Sequence, residues 1–179
     1  MEDLHNEEFE PLTVKQVSLK WGLYLGMAMI IYGILLQLLD QVGNTGLDMV
    51  NYVFMAALMY FAHKSFKDEG NGYMSYGQGL RIGTLMAVVG SFLSVVFSYI
   101  YVKFIDPSFM DIIKEIQIEK MQEQGLSDAQ IDQAMEMSAA FMKPEIMFPM
   151  AFVFSVFFAF ILALIISAIT KNNDPSTEV

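Results

Sequence analysis

The sequence predicts an all-α fold: an integral membrane four-helix bundle with an extracytoplasmic amphipathic helical hairpin between its third and fourth spans. Three observations lead there. Of 179 residues, 55% are hydrophobic and only 17% charged, whereas a soluble domain carries about a quarter charged residues. Mean hydropathy is +0.44, so too little polar surface remains to clothe a water-soluble core. The charges are also segregated, which leaves four long stretches almost free of them.

Taken in order, residues 1–18 read as an acidic tail, with Glu2, Asp3, Glu7, Glu8 and Glu10. A hydrocarbon core about 30 Å thick needs roughly 20 apolar residues as helix. Trp21–Leu39, Ile82–Val102 and Ile146–Thr170 carry no charge, and Asp48 alone interrupts Gln41–Ala62. These stretches predict spans at about 19–39, 47–66, 80–103 and 146–170, within a membrane domain of 19–171 that ends in a short tail, 172–179. An acidic start and the lack of a small-residue cleavage site make the first span a retained helix, not a secretory signal. The short connection Asp40–Gly46 has turn chemistry and forces an antiparallel pair. The second connection, His63–Arg81, is polar and glycine-rich.

Residues 106–143 form the insert between spans three and four. Asp106 and Pro107 predict a helix start, and Phe109, Ile112, Ile113 and Ile116 follow with helical spacing. Gly125 predicts the stop. Ser127 with Gln130 predicts a capping box for a second helix, whose apolar face holds Ile131, Met135 and Met142. These two amphipathic arms have three candidate neighbours: each other, the membrane surface or a partner.

Helices in lipid associate through close backbone approach, so small residues at helical spacing mark contact faces. The candidates are Gly22, Gly26 and Gly33 on the first span. Gly83, Ala87, Ser91, Ser94 and Ser98 follow on the third. Ala151, Ser155, Ala159, Ala163 and Ser167 lie on the fourth. Trp21, Tyr24, Tyr60, Tyr99 and Tyr101 fall near span ends, as interfacial anchors do. Lys15, Lys20, Lys64, Lys67, Arg81 and Lys171 lie on the side of the termini, against Lys103, Lys114, Lys120 and Lys143 opposite. The positive-inside rule therefore places both termini in the cytoplasm.

Much chemistry is disfavoured. There is no cysteine, which removes disulfides and thiolate sites, and a net charge of −10 is wrong for a nucleic-acid partner. His5 and His63 stand alone, without a second ligand at helical spacing. Met135, Met137, Met142 and Met147 are the densest methionines, but methionine in such a chain is ordinary apolar filler. No metal, cofactor or catalytic residue is expected. Gln37, Asp48 and Asn51, near the first turn, are the candidates for a weak polar site; capping and turn hydrogen bonds are the simpler reading of them.

The run Tyr99-Ile100-Tyr101-Val102-Lys103-Phe104-Ile105-Asp106-Pro107 is followed by Gly125-Leu126-Ser127 and by Gln130-Ile131-Asp132-Gln133-Ala134-Met135. With Ser75-Tyr76-Gly77-Gln78-Gly79 ahead of the third span, this pattern resembles a bacterial family of small four-span inner-membrane proteins, catalogued as a domain of unknown function. The likeness runs from about Val14 to Lys171. It implies an inner-membrane location and brings no activity or cofactor. Within the pattern, Gly77 and Gly79 are expected to turn the second connection into the third span. The functional expectation is a non-enzymatic accessory or scaffold subunit acting through helix association. Its partners would be the bilayer and either a second copy or another membrane protein. The alternative is a small transporter or channel for a neutral or cationic solute, with Gln37, Asp48, Asn51 and the third-span serines lining its path.

Overall fold

Local capping chemistry sets where the helices begin. The computed structural model describes residues 12–175, so His5 and most of the acidic tail lie outside the described residues. Thr13 opens α1 (Val14–Leu38) by exchanging hydrogen bonds with Gln16, and Ser75 opens α4 (Tyr76–Ile100) in the same way with Gln78. Each exchange satisfies backbone donors that a helix start otherwise leaves unpaired. Asn44 caps the single turn α2 (Thr45–Asp48), which leads into α3 (Val50–Asp68). A π-helical turn, Tyr101–Ile105, extends α4. Then come α5 (Phe109–Glu123), α6 (Asp128–Ser138) and α7 (Pro144–Thr170), the last with proline at its first position, where a missing N–H costs nothing. Among the described residues there is no strand beyond one antiparallel bridge, between Met74 and Asn172.

Among the described residues, four helical segments are long and apolar enough to cross a membrane: Val14–Leu38, Thr45–Asp68, Tyr76–Ile105 and Pro144–Thr170. The chain is therefore an all-α membrane protein. Each segment passes its charge-free stretch at one end at least, by two to seven residues, because charged ends can reach the interface while the backbone stays helical. The extension corrects one expectation. The second connection shrinks to residues 69–75, and the turn is made by Gly72, at φ +82°. Gly77 and Gly79 lie inside α4 instead. The start of α5 also differs from expectation: Asp106 accepts from the Ser108 N–H and hydroxyl, and the helix begins two residues after Pro107.

Helix α4 sits between α1 and α7 and packs most extensively on both, while α3 touches α1, α4 and α7. Backbone proximity explains why. A Cβ built on Gly22 would lie 2.9 Å from the Met86 carbonyl oxygen, and one on Gly26 would lie 3.0 Å from that of Gly90. On the other side of α4, a Cβ on Gly83 would lie 2.8 Å from Met59 Sδ and 2.9 Å from Ala163 Cβ. Leu25, Met55, Met59, Ile82 and Met86 fill the centre of the bundle and are buried. Ser91 and Ser155 join α4 to α7 by a hydroxyl–hydroxyl bond of 2.7 Å.

Replacing Gly26 by leucine forces Leu93 and the α4 backbone outward. The expected loss is about 1–3 kcal/mol of stability, the usual cost of overpacking, read as a lower unfolding temperature in detergent. Gly77→Ala, at a position where an added Cβ meets nothing within 4 Å, is expected to leave that temperature unchanged.

Candidate functional site

Polar side chains gather at the two ends of the bundle. At the end holding the termini, His63 on α3 is fully buried. Its Nδ1 lies 2.7 Å from Thr170 Oγ1 on α7, and its Nε2 lies 2.9 Å from the Gly79 carbonyl on α4. A carbonyl can only accept, so a neutral ring carries its proton on Nε2 and Nδ1 accepts from the Thr170 hydroxyl. That hydroxyl also lies 2.7 Å from the Ile166 carbonyl, and the two acceptors share its one proton. Close by, Lys67 Nζ donates to the Thr170 carbonyl at 3.1 Å. Met74 and Asn172 exchange two backbone bonds of 2.8 Å each. One imidazole thus ties three spans together, and the loop and the end of α7 are laced over it.

Sequence reasoning treated His63 as an isolated residue at a span end. A signal for its burial was present: Met55, Met59 and Ala62 share its helical face, and all are buried. Gly79 is part of the same arrangement, since a Cβ there would lie 3.0 Å from Ser167 Oγ. The Ser167 hydroxyl is buried and has no hydrogen-bond partner among the described residues.

At the opposite end, Gln37 Nε2 donates to the Tyr101 hydroxyl at 2.9 Å and to Asp106 Oδ2 at 3.3 Å. These bonds fasten the end of α1 to the π-helical turn and the residue after it. Asp48 and Asn51 are not part of this cluster. The Asn51 amide donates to the Asp48 carbonyl at 3.4 Å, within the α2–α3 junction. Helix α5 lies over the first turn, where a Cβ on Gly43 would lie 2.6 Å from Ile116 Cγ2.

The small residues divide into two sets. Gly22, Gly26, Gly83, Ala87, Ser91, Ser155, Ala159, Ala163 and Ser167 lie between helices of the chain itself or close to them. Gly90, which sequence reasoning passed over, belongs with them: a Cβ there would lie 3.0 Å from the Gly22 carbonyl oxygen. Ala151 is exposed. Gly33, Ser94 and Ser98 line a crevice between α1 and α4, and an added Cβ at Gly33 meets nothing within 4 Å. Gly33 therefore makes no close helix contact here, contrary to its reading as a packing residue. Among the described residues, no group of three or more His, Asp or Glu side chains could hold a metal ion.

These features belong to a small four-span membrane protein with a helical insert before its last span. Residues 20–172 match the model of a family described as Protein of unknown function (DUF4199), and the chain belongs to that family. No curated protein and no solved structure matches the chain.

Thr170→Val keeps the shape of the side chain and removes the hydroxyl, leaving His63 Nδ1 buried without a donor. The expected cost is about 1–3 kcal/mol, seen as a fall in the unfolding temperature of the detergent-solubilised protein. Lys67→Met, which removes a bond at a partly exposed position, is expected to cost less.

Proposed function

We propose that this chain is a non-enzymatic accessory or scaffold subunit of a bacterial inner membrane, with both termini in the cytoplasm, that works by associating with a second membrane protein. The observation that carries this reading is the incomplete burial of the insert. Helix α5 buries none of its residues fully and α6 buries only Ile131. Met137 is 73% exposed and Phe141 58% exposed. The insert lies beyond the four spans, so the bilayer interior does not cover these side chains as it covers the phenylalanines of α7. Large apolar groups left outside the protein core need another cover, and this reading assigns them to a partner surface. The small residues of the bundle support the same reading from the other direction. Most are taken up by internal packing, which leaves the insert as the free recognition element.

The centre of the bundle bears on the transporter alternative. It is filled by leucine, isoleucine and methionine; Gln37 sits at one end, bonded across to Tyr101 and Asp106, and Asn51 bonds locally to the Asp48 carbonyl.

Crosslinking in native membranes, followed by purification in mild detergent, is expected to recover a stoichiometric partner or a defined homo-oligomer. Met137→Glu and Phe141→Glu should reduce that yield without lowering the unfolding temperature. An uncrosslinked monomer at native abundance would refute the reading. Sidedness has its own test. A tag inserted near Glu123 is expected to be accessible from outside intact cells, and a C-terminal tag only after permeabilisation.

A further inference from the structure

The crevice between α1 and α4 has a chemistry that the association reading does not use. It encloses about 100 Å³ at the end of the bundle remote from the termini. Gly33 opens it, and Phe97, Tyr101 and Phe109 form an aromatic wall, with ring centroids 6.2 Å apart for Phe97–Tyr101 and 6.3 Å for Tyr101–Phe109. No charged side chain lines it. An ionic headgroup would therefore enter without a counter-charge, at high cost in such a medium.

The polar groups that line the crevice are three hydroxyls and the Gln37 amide, whose nitrogen already donates to Tyr101 and Asp106. Ser94 and Ser98 have no hydrogen-bond partner among the described residues, whereas Ser18, Thr84 and Thr170 each bond back to the carbonyl four residues earlier. Tyr101 accepts from Gln37 and so keeps its own proton to donate. Three hydroxyl donors thus face one small, uncharged, partly aromatic space. Ser94 is seven residues along the helix from Tyr101, which at 1.5 Å per residue places it roughly 10 Å deeper in the bilayer. Glycerolipid ester carbonyls stay in the interfacial layer and do not reach that depth. A ring with carbonyl oxygens at opposite edges does, and an apolar cavity of about 150 Å³ is known to accept a six-membered ring. This crevice is smaller, but it is open on one side, so a ring need enter it only in part.

We propose that the crevice binds the head of a neutral, lipid-soluble molecule carrying carbonyl acceptors on a small ring, the chemistry of a membrane quinone. The carbonyl edge that enters accepts from the Ser94, Ser98 or Tyr101 hydroxyl beside Phe97 and Phe109, and the rest of the ring and the tail lie along the lipid-facing surface. The site binds only; no electron transfer is assigned to it.

The test uses the full chain in lipid nanodiscs, with decylubiquinone as the probe. Decylubiquinone is expected to raise the unfolding temperature saturably and to compete with a photoreactive azido-quinone for labelling of α1 and α4 peptides. Gly33→Leu fills the opening and is expected to abolish both effects while the unliganded protein still folds. Ser94→Ala combined with Ser98→Ala keeps the crevice open and should weaken competition about tenfold, as expected for the loss of a neutral hydrogen bond; this pair decides the matter if the leucine variant does not fold. Equal protection by squalene, which has no carbonyl, would overturn the proposal, as would labelling spread evenly over α3 and α7 or undiminished binding in the serine-deficient variant. Light scattering on Gly33→Leu distinguishes one further occupant. A change of oligomeric state there would assign the crevice to a second copy of the chain and overturn the quinone assignment.

Discussion

Close contact between the α1 and α4 backbones is the constraint on which the rest of the bundle depends. In lipid, burying leucine against leucine gains little, because the hydrocarbon outside is as apolar as the protein inside. What remains is dispersion between surfaces that fit, and fit requires that no side chain hold the helices apart. Gly22, Gly26 and Gly90 supply that fit at the α1–α4 crossing, and Gly83 with Ala163 supplies it at the next. Helix α4 becomes the central element because its glycines and small residues serve two neighbours at once. Larger groups such as Leu25, Met59 and Met86 then fill the spaces between crossings.

Polar contacts do a different job. In the interior they join one helix to the next at particular points. The buried imidazole of His63 bonds to a carbonyl of one neighbour and a hydroxyl of another, which fixes the rotation of α3 about its axis. Apolar packing alone specifies that rotation weakly, since a bundle can slip among similar side chains. The Ser91–Ser155 bond does the same for α4 and α7. At the far end, Gln37 ties α1 to the π-helical turn, a kind of irregularity that often accompanies function.

Much of this was legible in the sequence. Charge-free length located four spans, because the thickness of the bilayer leaves few other readings. Ser127 and Gly125 marked helix ends by chemistry that acts over three or four residues, and both act there in the structure, whereas Asp106 and Pro107 pointed to a start that falls two residues later. Tertiary use of a residue was harder to read. Gly77 and Gly79 resemble turn residues when only their neighbours are considered, yet Gly79 lies in a helix, against Ser167. Gly33 has the same spacing signal as Gly22 and Gly26, but α4 has moved away at its level. Spacing on one helix says which face a residue occupies and nothing about what stands opposite. His63 shows the converse: its partners lie 16 and 107 residues away, so a search for ligands at helical spacing misses them.

The central position of α4 has a consequence for biosynthesis. Chains emerge from the ribosome N-terminus first, so α1 and α3 enter the bilayer as a pair before α4 exists. In the finished protein that pair touches less than either does with later helices taken together, and the glycine face of α1 waits for a surface about sixty residues downstream. Until that surface arrives, Gly22 and Gly26 face lipid or the insertion machinery. The first hairpin is thus a nascent intermediate whose seam is still open, and the arrival of the third span is the event that closes it.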